Sequence, residues 1–197
     1  MNTQTTAQPI RFLVGKELYL RSVLEEDLPK CVVWINDPKI REFVSIHLPQ
    51  SPQDEKEWLD SMGKKKDTSL SFAIVLREGD EMIGVTSTRN IDHRQGTAVG
   101  GILIGRKDLW GTGVGTEATM LSLYYAFTTL NLRKVCSSVY AFNERSIAYQ
   151  KKCGFREEGR LIRQHRHEFD WVDEILLAVF AEDFQPLWEK FAKDLPE

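Results

Sequence analysis

Val99-Gly100-Gly101-Ile102-Leu103-Ile104-Gly105-Arg106-Lys107-Asp108-Leu109-Trp110-Gly111-Thr112-Gly113-Val114-Gly115-Thr116-Glu117-Ala118-Thr119 is the stretch on which the reading of this chain turns. Ile102, Leu103 and Ile104 form a short apolar run between glycines, the pattern of a buried strand. Gly111, Gly113 and Gly115 follow at alternate positions, and Thr116-Glu117-Ala118 opens a helical pattern. Glycines this close together suit a backbone that must approach something bulky and turn freely as it does so. The loop N–H groups and the positive end of the next helix would both favour an anion, typically a phosphate.

Two better-known phosphate loops do not fit. A Walker loop ends in Gly-Lys-Ser/Thr, whereas Gly115 is followed by Thr116 and Glu117. The dinucleotide fingerprint needs a third glycine where Thr116 stands, and an acidic residue near the end of a following strand that begins here at Lys134 and Val135. On this stretch alone, a glycine-rich turn with no ligand fits as well.

Working outward, Trp110-Gly111-Thr112-Gly113-Val114-Gly115-Thr116-Glu117-Ala118 is joined by Asn143-Glu144-Arg145-Ser146 and Tyr149-Gln150-Lys151-Lys152-Cys153-Gly154-Phe155. Together they resemble the GNAT superfamily of acyl-CoA-dependent N-acetyltransferases. Within it they look most like the branch containing the ribosomal-protein N-terminal acetyltransferases. The resemblance runs from about residue 11 to about 181 and takes in Leu18-Tyr19-Leu20-Arg21 and Trp34-Ile35-Asn36-Asp37-Pro38. Trp110 departs from the Gln or Arg usual at its position, although this branch also uses an aromatic there.

A chain of 197 residues with 42% hydrophobic and 28% charged residues is of a size and composition for one globular domain. We expect residues 1–9 to be a polar tail and residues 10–197 to form the domain. A net charge of −3 argues against general nucleic-acid binding. No membrane-spanning apolar run or secretory signal is evident. Three cysteines, Cys31, Cys136 and Cys153, make an odd count without paired spacing, which fits a reduced cytoplasmic protein.

Glu25 to Asn36 reads as a helix stopped by Asp37-Pro38, and Ser51-Pro52 with Asp54 opens a second. Leu70, Phe72, Ile74 and Leu76 alternate as a strand, Met82 to Asn90 returns antiparallel, and Ala98 to Gly105 enters the glycine loop. The next helix presents Met120, Leu123, Tyr124, Phe127 and Leu130 on one face. Lys134 to Ala141 is a strand, Asn143 caps a short helix, and residues 155–180 form a long hairpin before an amphipathic helix at Phe184 to Phe191. The fold class is α+β, a single domain with a central, mostly antiparallel mixed sheet flanked by helices, which is also the family's.

The resemblance implies acetyl-CoA as cosubstrate, held by Ile102, Leu103, Ile104, Trp110, Gly111, Thr112, Gly113, Val114, Gly115, Thr116, Asn143, Ser146 and Lys151. It implies that the strand before the loop parts from the strand ending at Ala141, that the pantetheine arm lies between them, and that a backbone N–H near Ile102 or Leu103 faces the thioester carbonyl. Arg106, Lys107, Arg145, Lys151 and Lys152 add positive charge around the phosphates. Tyr149 matches the family position whose phenol lies beside the cofactor sulfur, where it is placed to protonate the leaving thiolate.

The base is less legible. Relatives often carry a glutamate in the strand before the loop, but Ala98-Val99-Gly100-Gly101 holds no carboxylate, which leaves Asp92 and His93 acting through water. His165 and His167 share a strand face and read as hairpin surface, and no metal site is expected. An α-amine near ~8 needs less help than a lysine-like amine near ~10.4. The expected acceptor is therefore a protein or peptide N-terminus, ribosomal proteins among them. A polyamine, amino sugar or antibiotic amine is the alternative, and a non-catalytic acyl-CoA sensor is the rival from another class. The expected state is monomer or homodimer, without nucleic acid or membrane.

Overall fold

The computed structural model describes residues 10–64 and 67–196; the polar leader expected to be a tail lies outside them. Among the described residues, eight strands form one sheet in the order β1-β2-β3-β4-β5-β6-β8-β7. They are β1 (Leu13–Val14), β2 (Leu18–Ser22), β3 (Ser69–Leu76), β4 (Met82–Asp92), β5 (Thr97–Ile104), β6 (Lys134–Tyr140), β7 (Arg156–His167) and β8 (Asp170–Phe180). Every neighbouring pair is antiparallel except β5 and β6. The helices are α1 (Leu28–Asn36), α2 (Pro38–Arg41), α3 (Pro52–Lys64), α4 (Val114–Thr128), α5 (Glu144–Lys152) and α6 (Ala181–Phe191). No helix among the described residues is long and apolar enough to cross a membrane.

Alternation along β2 and β3 places apolar residues on both faces, so these strands are buried from two sides. Leu18, Leu20, Phe72 and Ile74 pack with Ile83 against Ala118 and Leu121 of α4. Tyr19, Ala73 and Val75 face the other way, onto Cys31 of α1, with Trp34, Trp58, Leu59 and Met62 packed around them. Helices α1 and α3 thus roof one face while α4 and α6 cover the opposite one.

Helix α4 carries more than the single apolar face read from its sequence. Ala118 and Leu121 meet the β2–β4 half, while Met120, Leu123 and Ala126 meet Ala98, Val135, Val139 and Leu177 in the β5–β8 half. A helix apolar all round is a buried helix, and this one bridges both halves of the sheet.

Asp37-Pro38 does end α1, but it also starts another turn. The Asp37 carboxylate accepts from the Lys39 N–H at 2.9 Å, and Pro38 takes the first position of α2, where a missing N–H is harmless. Ser51 and Asp54 cap α3 reciprocally: Ser51 N–H donates to Asp54 Oδ2 at 2.7 Å, and Asp54 N–H donates to Ser51 Oγ at 3.2 Å.

Glu117, part of the motif quoted above, has a structural task. Its Oε1 accepts from the N–H groups of Glu17 (2.9 Å) and Leu18 (3.2 Å), tying the β1–β2 turn to α4. A Cβ at Gly15 would stand 2.2 Å from that oxygen, so a side chain there would displace the Glu117 carboxylate from both N–H groups. Glu117→Ala should destabilise the fold by about 2–3 kcal/mol, because Leu18 is fully buried and its N–H would be left without a partner. A urea midpoint that falls at unchanged m-value is the expected reading, with most of the loss recovered by Glu117→Gln, which keeps the acceptor oxygen.

Candidate active site

The site follows from one interruption in the sheet. β5 and β6 pair in parallel only at Thr97↔Lys134, Ala98↔Val135 and Val99↔Cys136. Beyond these, β5 runs on beside β4 to Ile104, and β6 runs on beside β8 to Tyr140. The two strands part, each leaving an unpaired edge toward the gap. Gly105 N–H donates to the Ile83 carbonyl, so the alternate residues Leu103 and Gly101 direct their backbone groups to β4. Gly100, Ile102 and Ile104 therefore direct theirs into the gap, which selects Ile102 over Leu103 as an oxyanion donor.

The glycine loop stands across the open end. Gly111 and Gly113 have φ of +84° and +108°, conformations for which glycine is suited. A Cβ built at Gly111, Gly113 or Gly115 meets no atom within 4 Å, so these glycines front open space. Glu117 N–H makes an early intrahelical bond, to Gly113 C=O at 3.0 Å. The N–H groups of Val114, Gly115 and Thr116 precede it and remain for a ligand at the positive end of α4. A cleft of about 700 Å³ joins this cradle to the gap and continues beneath α1–α3. Gly105 fixes that roof: a Cβ there would fall 1.9 Å from the Trp34 ring, so only glycine lets α1 settle on the end of β5.

Most of the residues expected to hold the cosubstrate line this one cleft: Ile102, Leu103, Ile104, Trp110, Gly111, Gly113, Val114, Gly115, Thr116, Asn143 and Ser146. Trp110 is held by its indole N–H, which donates to the Ile104 carbonyl at 2.8 Å, and by the Arg145 guanidinium 4.0 Å above its ring. Asn143 caps α5 by accepting from Ser146 N–H at 3.1 Å. Thr112 and Lys151 are not on the cleft wall. The Thr112 hydroxyl donates to the Leu109 carbonyl, and Lys152, rather than Lys151, lines the cleft. Arg106 is engaged with Glu81 and Asp108, and Lys107 with Asp37, which leaves Arg145 and Lys152 as the expected cations that face the cleft.

Tyr149 also lines the cleft. Burial pushes its phenol up to about 12, against hydrogen-bonding contacts from Ser146, Thr119 and Gln150 that work the other way. Burial likewise pushes the Cys153 thiol up to about 12, and its Sγ lies 3.7 Å from the Thr116 carbonyl, so it is an inert packing residue.

Asp92 and His93 are not brought to the cleft. Asp92 pairs with Thr97 at the closed end of the β5–β6 wedge, and its carboxylate accepts from the N–H groups of Arg94 and Gln95. His93 contacts the Asp67 carbonyl. Two carboxylates and an imidazole that the sequence did not single out as site residues stand in the cleft instead: Glu55, Glu174 and His165. His165 is not hairpin surface. Its Nε2 lies 3.0 Å from Glu174 Oε2, sealed from solvent and off hydrogen-bond alignment, and its ring packs edge-on against Tyr140. His167 packs against Phe142. Among the described residues, no group of three His, Cys, Asp or Glu side chains is placed to hold a metal.

A comparison with protein families decides the kinship. The family profile described as "Acetyltransferase (GNAT) domain" matches residues 17–156. The chain belongs to the GNAT acetyltransferases. This acetyltransferase is 28% identical over 179 residues to the SPbeta prophage-derived uncharacterized N-acetyltransferase YokL of Bacillus subtilis, spanning 89% of this chain and 97% of that one. Its fold matches the spermidine N-acetyltransferase of Vibrio cholerae, solved in complex with CoA and spermine, with a TM-score of 0.80 at 21% identity, over 87% of this chain and 99% of that one. Mycobacterium smegmatis RimJ, in complex with CoA-disulfide, gives the same TM-score of 0.80 and identity of 21%, over 93% and 94% of the two chains. The α+β architecture read from the sequence is thus the GNAT fold, and acetyl-CoA as cosubstrate fits the open-fronted glycine cradle.

Proposed function

We propose that this acetyltransferase moves the acetyl group directly from acetyl-CoA to a primary amine held under α1–α3. The parting of β5 and β6 in front of the glycine loop carries this reading: it supplies a phosphate cradle, a strand-edge slot and an acceptor groove in one continuous cleft. Acetyl-CoA, when bound, supplies an activated thioester carbonyl. The Ile102 N–H donates to the oxygen of that carbonyl as charge develops there. The Tyr149 phenol donates to the departing sulfur. His165 takes the proton from the amine on Nδ1, the ring nitrogen not turned to Glu174, and Glu174, 3.0 Å from Nε2, is a positioning residue whose charge favours the imidazolium that forms.

This assignment bears on the acceptor. An N-terminal α-amine was expected because β5 offers no carboxylate, but the β7–β8 hairpin brings Glu174 and His165 into the cleft, and the argument from a missing base loses its premise. Similarity to a spermidine acetyltransferase solved with spermine supports a small-molecule amine. Release of CoA thiol against a panel of alkylamines, diamines and peptides tests the reading. Turnover with at least one of them is expected, whereas tight acetyl-CoA binding without transfer to any would leave the sensor alternative.

His165→Ala should lower kcat/KM about 100-fold at pH 7. The deficit should narrow as the pH approaches ~10, where an alkylamine sheds its own proton and needs no base. A deficit equal at all pH values would mean that His165 only shapes the groove.

A further inference from the structure

The acceptor end of the cleft holds a charge that acetyl transfer does not use. Glu55 lies in the first turn of α3 and is only 9% exposed, yet it lines the cleft beside Cys31, Trp34, Ile35 and Trp58. Its backbone N–H belongs to the helix, donating to the Ser51 carbonyl at 3.2 Å. Its carboxylate has no hydrogen bond or ion pair among the described residues. The polar neighbours are committed elsewhere: Asp54 to Ser51, and Lys56 to Glu25 at 3.2 Å and Asp60 at 3.9 Å. Burial and the adjacent Asp54 raise the Glu55 carboxyl above its ordinary range, and the thiol of Cys31 is pushed up to about 12 by burial and by the Glu55 charge.

A buried carboxylate without a partner is unfavourable unless the ligand brings one. The chemistry that suits it is a cation, and the indole rings of Trp34 and Trp58 on the same wall add attraction for one. The other cleft carboxylate, Glu174, already faces His165. Arg89, which also lines the cleft, lies along β5, its guanidinium 3.5 Å from where a Cβ on Gly101 would stand, and makes no ion pair with Glu55 among the described residues.

We infer that Glu55 seats a second positive charge of the acetyl acceptor, so that the acceptor is an aliphatic diamine or longer polycation with one amine at the reaction centre and another ammonium group on Glu55. The inference rests on the acetyl-transfer reading and adds the substrate class. A short diamine and an alkyl monoamine of the same carbon count are compared in parent and Glu55→Gln, a substitution that keeps shape and removes charge. The parent should favour the diamine in kcat/KM by roughly 10- to 100-fold, the range of one charge-assisted hydrogen bond. In Glu55→Gln that preference should collapse toward unity, chiefly through KM for the diamine. Equal losses on both amines, equal use of both by the parent, or a preference for amines bearing a carboxylate would overturn it.

Should the parent acetylate no amine, the transfer reading fails but the subsite is still measurable. Titration calorimetry with the diamine in saturating CoA should then show binding that Glu55→Gln loses, and absence of binding to the parent would end the proposal. Glu55→Asp, which restores charge on a shorter arm, should recover part of the preference and so separates charge from packing.

Discussion

Gly115→Val should bind acetyl-CoA at least about 100-fold more weakly than the parent protein while unfolding at nearly the same denaturant concentration. Gly115 lies in the first turn of α4, has no positive φ, and fronts space where an added Cβ meets no atom within 4 Å. The protein itself therefore has no steric objection to a larger residue there, and in a helix valine is if anything slightly better than glycine. The space it would fill is the proposed seat of the pyrophosphate. Losing even two charge-assisted N–H contacts, each worth about 1.5–3 kcal/mol, gives the stated factor. Gly113 is a poorer test, because its φ of +108° strains any side chain and would mix instability with lost binding. Equilibrium titration with acetyl-CoA, beside a urea melt, separates the two effects. Parent-like affinity in Gly115→Val would remove the loop from the binding site.

The glycine loop was legible because its information is local. Positive φ, alternate glycines and a helix start are properties of neighbouring residues, and the same holds for the Asn143 cap and for the strict alternation in β3. The base was not legible because its position depends on register. Asp92 looked suitable in sequence as a carboxylate near the strand preceding β5, but its pairing with Thr97 sends it to the closed end of the wedge. His165 and His167 do share a face, as their i, i+2 spacing requires. Which face is decided by the register shift between Leu161 and His165 and by where β8 lies against β6, with Tyr140 opposite Glu174. A strand as polar as β7 gives no apolar stripe from which to read that orientation. Glu55 was hidden for a related reason. In the sequence it is one of several acidic residues opening a helix, where the dipole alone accounts for it, and only the packing of α3 against α1 buries it.

Tyr149→Phe should leave acetyl-CoA affinity and stability nearly unchanged and slow the acetyl-transfer step by ~10²–10⁴-fold, the range for a lost general acid. The size of the effect turns on proton affinities. Against an ordinary thiol near ~8.5, a phenol held at about 12 is a poor acid, and full proton transfer would be uphill. The same dry surroundings act on sulfur as well: the nearby Cys153 thiol is itself pushed up to about 12. A thiolate released beside Tyr149, before water reaches it, would meet the same penalty, and the mismatch between phenol and sulfur largely closes. The elevated phenol also moves the alkaline limb that an unperturbed tyrosine would impose. Since the proton stays on Tyr149 until the pH nears 12, parent and variant should show parallel profiles up to pH 10, separated by a constant factor. Single-turnover measurement at saturating acetyl-CoA isolates the step from product release. A variant that transfers acetyl at the parental rate would reduce Tyr149 to packing and leave water or the acceptor to deliver the proton. A loss that grows steeply with pH would instead place the ionisation of a different group on the alkaline side.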